Sequence, residues 1–592
     1  MKLVVPFIGE IRAEDRRLIE LAEFMGIECE PLVMPDQDGE HIGFLRHTLP
    51  DANCCLVLNP SVIQRWIGED RPLFSFVSFL RERIRYSLVH AVCDESFHSG
   101  FVAALTGGQF LGVRALEKSG MPYKIASDSR EICEAFAGLS FGRANAANDY
   151  VFKSKEGSRA RKLILVGDEA LLAVAKQGNS EFLLVGSKDV VDLKTRTNGE
   201  FSPELFSQLL PHAMALRYIF GEQSWRPAER HASVIVDDPL LRANYGFLNF
   251  DRLLGMMSQH NFQTTIAFIP YNFRRSSPRI TRLFRENCCR LSICFHGNDH
   301  TEAEFAVTGK ASLNTIIQLA ESRMKVHETL TGVHCERVMV FPQGKFSIDA
   351  MDVLKSRNFV AAVNTKPHPW LKETILSISD IAQPAILRYA GFPLFHRRYS
   401  EHTQDFEIAF DLFFGKPVLI VEHHDVFKNP QRLLDAVVRV NAVAPEIRWS
   451  NVGTAVKRSV LQRSELGGSY RVRAYSHSVH VSNGAAGDRR FIIEWNDPSQ
   501  DGSIENVSWN GLAFSESVIG QAGACVDVNL KPGSLEEFSL VHRSNMLPLI
   551  KSSLRHSVRV FLRRRLSEAR DNYLSRNPVL LGAAANLRRL KS

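Results

Sequence analysis

The alternation of short apolar runs with amphipathic segments between residues 231 and 442 limits the possible folds more than any other feature. Apolar runs typical of buried strands lie at residues 233–236, 264–269, 291–295, 338–341, 360–363 and 417–422. Amphipathic segments typical of helices follow at residues 250–259, 280–286, 312–330, 348–357 and 431–442. Strands that alternate with helices form a parallel sheet. About seven such units predict a closed or nearly closed (β/α) barrel, with its chemistry at the C-terminal ends of the strands.

The remaining sequence divides into three further regions, so we expect an α/β chain with domains at 1–225, 226–460, 466–545 and 546–592. Residues 1–225 also alternate strands and helices and predict an open, Rossmann-like α/β domain of unknown role. No GxGxxG or GxxxxGK[ST] loop marks a nucleotide site there. Apolar residues recur with a period of two from residue 469, which predicts a small antiparallel β sandwich. Its aromatic residues suit either a core or glycan stacking, and a core is the favoured interpretation.

The charge of the chain is concentrated in its last segment. The net charge is +7, yet residues 551–592 contain eleven Lys and Arg against two Asp and Glu. The rest of the chain is therefore close to neutral, which argues against a nucleic-acid-binding protein. Apolar residues at 554, 558, 561, 562 and 566 make the segment a basic amphipathic helix. Such a helix contacts an anionic membrane surface or an acidic partner, or it packs on the body of the protein.

The cysteine content and the N-terminal sequence bear on the cellular location of the protein. The ten cysteines are scattered and no CxxC occurs, so a disulfide framework is not expected. The first apolar run is short for a signal peptide, and no run approaches the ~18 apolar residues of a membrane span. We expect a cytoplasmic protein, peripherally membrane-associated if the basic helix binds lipid.

Residues that bind metals follow three strands of the predicted barrel. Asp237 and Asp238 end the first strand, and His296 and His300 follow the strand at 291–295. A third group, His423, His424 and Asp425, follows the last strand. An HxxxH pair places two imidazoles on one side of a helical turn, and a carboxylate completes an open catalytic site of the zinc type. Of two adjacent carboxylates, one can bind the metal while the other acts as base.

In this order, these groups resemble the polysaccharide deacetylase family (carbohydrate esterase family 4, NodB homology). The resemblance covers residues ~231–455 and rests on four segments. These are Val236-Asp237-Asp238-Pro239, His296 to His300, Phe341-Pro342-Gln343-Gly344, and a late strand that ends at His423-His424-Asp425.

The resemblance implies a function and roles for individual residues. Asp237 would be the general base, and Asp238, His296 and His300 would bind a divalent metal, most often Zn²⁺. His424 would be the acid that protonates the departing amine. The reaction would be hydrolysis of an N- or O-linked acetyl group on a sugar or glycan precursor.

The resemblance also implies supporting residues. The turn of Phe341, Pro342 and Gly344 would contact the substrate and hold the oxyanion, while His423 and Asp425 would support the acid. Some positions depart from the family pattern: Pro239 and Gly297 replace a usual Gly and Ser/Thr, and Val340 replaces an Arg that orients the base. The Asp-Trp motif has no clear counterpart.

Two alternatives stay open at this point. The chain could be a binding or scaffold protein with a decayed deacetylase barrel, which the departures favour. It could also be a nucleotide-sugar-dependent transferase that acts through residues 1–225. The retained set of metal-type residues favours the hydrolase.

Overall fold

The structure is a computed structural model that describes residues 1–35, 41–49, 53–67, 73–371, 374–465, 467–543 and 554–574. The chain forms two compact units. The first comprises Met1–Arg226 together with Ile375–Ile381 and Gln462–Glu465. The second comprises Pro227–Thr374, Ala382–Leu461 and Leu466–Ser592. The first unit thus includes two segments that lie far beyond the boundary predicted at residue 225.

The first unit is built on a mixed sheet with an open strand order. Its parallel half contains Cys29–Val33, Lys2–Phe7, Cys54–Leu58, Tyr86–Val89 and Ser180–Val185. Its antiparallel half continues with Glu169–Gln177, Arg161–Val166, Tyr123–Ile125 and Ser140–Phe141, and with Phe110–Ala115 and Tyr150–Ser154. The helices are Ala13–Phe24, His41–Thr48, Pro60–Ile67, Leu73–Arg83, Ser96–Leu105, Arg130–Cys133 and Phe206–Phe220. The α/β class is confirmed, but the sequence analysis did not predict the antiparallel half.

The two later segments complete the first unit. Leu376–Ser377 pairs antiparallel with Arg196–Thr197. Arg463 donates to the carbonyl of Gly26, and its guanidinium lies 4.9 Å from the centroid of the Trp225 ring. This contact buries Trp225, which is 3% exposed.

A parallel barrel forms the centre of the second unit, as predicted. Its strands are His231–Asp237, Thr264–Phe268, Leu291–His296, Cys335–Val340, Ala361–Asn364, Leu394–His396, Arg398–Tyr399 and Val418–His423, with Arg448–Trp449 beside the first. Leu394–His396 pairs with Ala361–Asn364, while Arg398–Tyr399 pairs with Val418–His423. Only Arg397 separates these two short strands. The segment 394–399, which we name the closing strand, therefore joins both edges of the sheet and closes the barrel.

Seven helices of the described residues accompany the barrel strands, and the amphipathic segments predict all of them except the fifth and the seventh. They span Phe250–His260, Pro278–Glu286, Lys310–Thr331, Ile348–Ser356, Asp405–Phe413, Gln431–Val443 and Val452–Lys457. Their ends follow capping rules: the Asn249 side chain accepts from the N–H of Arg252, and Ser347 does the same for Ala350. Asn261, in the left-handed conformation, ends the first of these helices.

The β domain contains two sheets that share one apolar core. One sheet orders Tyr470–Ala474, Arg489–Asn496, Gly523–Leu530 and Val518–Gly520; the other orders Ser478–Ser482, Leu535–His542, Ile504–Trp509 and Leu512–Phe514. The predicted sandwich is confirmed, but it is not wholly antiparallel, because Tyr470–Ala474 pairs in parallel with Arg489–Asn496. Tyr475 and Trp495 are buried, and Tyr470 and Trp509 pack against the core. These aromatics therefore serve the core.

Within the basic segment, the described residues form a helix, Leu554–Ala569, which continues as a wider turn, Arg570–Leu574. We name Leu554–Leu574 the C-terminal helix. Across the described ranges, no helix is long and apolar enough to cross a membrane.

Candidate metal centre

Three predicted metal ligands meet at the C-terminal end of the barrel. Oδ1 of Asp238 lies 3.3 Å from Nε2 of His296 and 3.1 Å from Nε2 of His300. One ligand atom from each residue lies within 4.8 Å of the others. Oδ1 of Asp238 is buried and accepts no hydrogen bond from any described residue. A buried carboxylate oxygen facing two imidazole nitrogens is the arrangement that a divalent cation satisfies.

Local backbone and hydrogen bonds orient these ligands. Asp238 and His300 both have positive φ, 82° and 55°, a conformation that costs free energy in residues other than glycine and is common at functional sites. Nδ1 of His296 lies 3.1 Å from the carbonyl oxygen of Val340. This contact places the proton on Nδ1 and leaves the Nε2 lone pair free for a metal. Burial lowers the pKa of His300 to about 4, which favours the neutral, metal-binding imidazole.

The loop between the two histidines is held by Glu304. Its buried carboxylate accepts the backbone N–H groups of residues 298, 299, 300 and 301 at 2.8–3.4 Å. Gly297 has φ +63°, and a Cβ there would lie 2.1 Å from Oε1 of Glu304 and 2.4 Å from Cγ of Pro342. The glycine that replaces the family's Ser/Thr is therefore required for this loop to close on Glu304.

The group that orients Asp237 comes from the closing strand. Nη1 and Nη2 of Arg397 donate to Oδ1 and Oδ2 of Asp237, each at 2.7 Å. Both side chains are almost fully buried. Burial alone would raise the pKa of Asp237, but the Arg397 guanidinium and the neighbouring His296 lower it. The arginine missing at Val340 is thus supplied from another strand.

The structure separates the roles of the two adjacent histidines. His423 pairs in register with Asp237 and is partly exposed, with its ring 6.1 Å from that of Tyr399. His424 is buried: Nε2 lies 3.6 Å from a carboxylate oxygen of Asp571, and Nδ1 has no hydrogen-bond partner within the part of the chain that the structure describes. A Cβ at Gly246 would lie only 2.1 Å from that Nδ1. Nδ1 of His424 therefore faces Gly246, and Nε2 faces the carboxylate of Asp571.

Asp425 does not lie against the predicted acid. Its side chain is exposed, and the carboxylate next to His424 is that of Asp571, from the C-terminal helix. The adjacency of His424 and Asp425 in sequence does not bring their side chains together, because the carboxylate of Asp425 points to solvent where the chain turns out of the strand.

The predicted substrate turn lies beside the metal ligands. Phe341, Pro342 and Gly344 are buried, and Gln343 has φ 59°. The N–H of Gly344 donates to the carbonyl of Phe341 at 3.2 Å, and proline has no N–H. The amide of Gln343, an exposed residue that the sequence analysis did not single out, is therefore a candidate donor to an oxyanion in this turn.

The C-terminal helix contacts the mouth of the barrel. Oη of Tyr245 donates to Asp571 at 2.8 Å, and the N–H of Gly246 donates to Asn572 at 2.9 Å. Glu568 pairs with Arg275 at 2.5 Å. One face thus packs on the body, one of the predicted outcomes. Contact of residues 551–592 with a membrane or an acidic partner stays a prediction.

The first unit contains a second group of metal-type side chains, Cys93, Glu95 and His98. Nδ1 of His98 accepts the backbone N–H of Cys93 at 3.0 Å, and Nε2 lies 3.3 Å from Oγ of Ser61. Burial raises the pKa of the Cys93 thiol to about 12. These atoms are engaged within the protein, and the group is best explained as a cap on the loop before the helix.

Besides the amide of Gln343, sequence reasoning missed three side chains of this centre, namely those of Arg397, Glu304 and Asp571. A signal existed for Arg397, since Phe395-His396-Arg397-Arg398-Tyr399 resembles a short strand that ends in charge. No local signal points to Asp571, because its contact with Tyr245 spans 326 residues.

Comparison with solved structures finds similar chains, and the identities of those described below are low. No family model matches the sequence, and no curated protein matches it. Among solved structures, Agd3, described as a novel carbohydrate deacetylase, is 10% identical with a TM-score of 0.49, covering 91% of this chain and 98% of that chain. A family 4 carbohydrate esterase from Streptomyces lividans is 11% identical with a TM-score of 0.23, covering 37% and 91%. The polysaccharide deacetylase Bc1974 from Bacillus cereus is 13% identical with a TM-score of 0.22, covering 38% and 92%. These values are too low to establish a family, so the activity is argued from the site.

Proposed function

We propose that this protein is a metal-dependent hydrolase that removes an acetyl group from the nitrogen of an amino sugar. One observation carries the proposal: the open Asp238, His296 and His300 set lies beside a carboxylate, Asp237, that a buried arginine holds in place. Metal ligands next to an oriented base form the core of a metal-assisted hydrolytic site.

The donor set fits Zn²⁺. Two imidazole nitrogens and one carboxylate oxygen are the ligands of many catalytic zinc sites, which keep a further position open. The buried and unpartnered Oδ1 of Asp238 supports a cation between these groups. When bound there, the ion would polarise the acetyl carbonyl and acidify a water molecule.

Side chains of this protein accept and donate the protons of the reaction. Asp237 takes a proton from the attacking water, and Arg397 keeps its carboxylate ionised and oriented. The water oxygen bonds to the acetyl carbon, and the C–N bond breaks. The amine nitrogen takes a proton, and the products are acetate and the free amino sugar. The N–H of Gln343 is the candidate donor to the developing oxyanion.

We assign the role of the acid that protonates the departing amine to His423 rather than to the predicted His424. His423 is the partly exposed histidine beside Asp237, whereas both nitrogens of His424 face protein. His423→Gln and His424→Gln form a matched pair. We expect kcat to fall at least 100-fold in His423→Gln, and a larger fall in His424→Gln would return the role to His424.

Metal content and acetate release test the proposal together. Purified wild-type protein, loaded with Zn²⁺ and dialysed, should retain about one equivalent by elemental analysis. The double variant His296→Ala, His300→Ala should lose it, while His334→Ala, an exposed histidine, serves as the control. Acetate release from N-acetylhexosamines and their short oligomers should require the metal. Asp237→Asn should keep the metal and lose turnover; wild-type turnover by this variant would exclude Asp237 as the base.

A further inference from the structure

A stripe of the C-terminal helix points at the metal centre. Val560, Arg564 and Asp571 are buried, and Glu568 completes the stripe at helical spacing. Glu568 binds Arg275, and Asp571 binds Tyr245 beside His424. These contacts hold the helix against the body of the protein, and Arg564 lies on the same helix face, about one turn before Glu568.

Arg564 is unusual because it is buried without a matching partner. Its residue is 6% exposed, and its Nε has no hydrogen-bond partner among the described residues. Its charge reaches the metal ligands: burial raises the pKa of Asp238, but His300, His296 and Arg564 hold it well below its usual range. A buried guanidinium is costly unless an anion pairs with it.

The neighbouring charges leave this arginine uncompensated once a divalent ion is present. Asp237 is neutralised by Arg397, and Asp571 pairs with Arg570 at 2.7 Å. The single negative charge of Asp238 would then face both the ion and Arg564. A neutral acetylated sugar would leave the mouth of the site with excess positive charge.

We propose that the sugar substrate is anionic and that Arg564 binds its negatively charged substituent. The inference rests on the proposed deacetylase site and names its substrate class. A planar guanidinium binds a carboxylate or phosphate through two hydrogen bonds, and such pairs are strong where water is excluded. Arg564 is then a specificity residue that the C-terminal helix delivers to the barrel.

Three sugars that differ only at C6 test this inference. They are N-acetylglucosamine, N-acetylglucosaminuronic acid and N-acetylglucosamine 6-phosphate. Calorimetry with the zinc-loaded, full-length Asp237→Asn variant measures binding without turnover. We expect one anionic sugar to bind at least 10-fold more tightly than the neutral one, and the carboxylate and phosphate arms identify which. Equal affinity for all three sugars, or no binding of any, would overturn the inference.

Variants at Arg564 separate specificity from folding. Arg564→Gln should reduce the anionic-to-neutral affinity ratio to about 1, and Arg564→Lys should keep part of it. Arg565→Gln, a neighbouring exposed arginine, should keep the wild-type ratio. An equal loss for all three sugars in Arg564→Gln, with Arg564→Lys folded and equally affected, would show a structural role and reject the inference.

The two proposals can fail separately. Acetate release at equal rates from the neutral and anionic sugars would reject the specificity and retain the deacetylase. An anionic preference that depends on Arg564, without acetate release from any sugar, would retain the anion site and reject the hydrolase.

Discussion

At the scale of single residues, the centre depends on charges that are buried in pairs. Arg397 and Asp237 are 3% and 4% exposed, and a buried ion pair is stable only when its hydrogen bonds are complete. Here the two parallel N–H···O bonds leave little freedom for the carboxylate. Asp237, the proposed base, is therefore oriented before a substrate arrives, and a base held in this way avoids reorganisation during a reaction.

Replacement of Arg397 should affect turnover more than binding. In Arg397→Gln the carboxylate of Asp237 loses both charged donors, so we expect kcat to fall roughly 100-fold with a small change in KM. Arg397→Lys should retain part of kcat, because a lysine keeps the positive charge but cannot donate two parallel hydrogen bonds to the carboxylate. Steady-state kinetics with equal zinc content in each variant checks this; Arg279→Gln, in an exposed pair, is the control. An unchanged kcat in Arg397→Gln would contradict the positioning role.

At the scale of elements, the loop after Leu291–His296 places the second histidine. Four backbone N–H groups converge on one carboxylate, that of Glu304, and Gly297 gives that carboxylate room. The loop conformation is thus set by an acid that is not one of the proposed metal ligands. Such supporting groups determine metal affinity because they fix the geometry of the ligands.

Glu304→Gln tests the loop. The amide would offer one acceptor and one donor to a set of N–H groups that needs acceptors, so His300 should lose its fixed position. We expect zinc affinity to fall about 10- to 100-fold. Competition with a chromophoric chelator measures it, and Glu302→Gln, an exposed neighbour, is the control. Unchanged affinity in a folded Glu304→Gln variant would mean that the loop needs no carboxylate.

The sequence could predict those parts of the centre that lie on regular elements. Asp238, His296 and His300 follow long apolar runs, so the barrel alternation places them at one end. The closing strand was missed because its two pieces are three and two residues long, too short for a periodic signal. The parallel strand pair in the β domain was also missed, because alternation shows which face is buried and not which direction a neighbour runs.

At the scale of the whole molecule, the barrel and the β domain form one compact unit. Lys355, on a barrel helix, is 2% exposed and its Nζ contacts Asp497 at 2.7 Å and Asp501 at 3.0 Å in the β domain. Oγ of Ser499 and the carbonyl of Ala390 also lie within hydrogen-bond distance of Nζ, at 2.9 and 3.2 Å. The two parts are therefore joined by a buried charge as well as by apolar contact.

Lys355→Met should weaken the attachment of the β domain to the barrel. Removal of one partner from a buried ion pair lowers the free energy of unfolding by about 3–5 kcal/mol. The midpoint of urea unfolding at neutral pH should therefore shift to a lower urea concentration. Burial raises the pKa of Asp501, but bonds from Ser503 and Lys355 lower it below its usual 3.8. A lowered pKa contributes stability above the unfolded value that is lost in acid, so the deficit of the variant should shrink at low pH. Lys325→Met, an exposed lysine, should unfold like wild type, and a deficit that grows in acid would contradict the pairing.

The first unit is built from segments that lie far apart in sequence, and this has a consequence for its folding during synthesis. Its last segment, Gln462–Glu465, is separated in sequence from residue 226 by most of the barrel. A ribosome needs roughly 10–50 s to synthesise that stretch. Until Arg463 emerges, Trp225 lacks the guanidinium that covers it and Gly26 lacks its donor. The unit that begins the sequence therefore completes its fold only after the barrel strands have been made, and a chain interrupted inside the barrel leaves that unit unfinished as well.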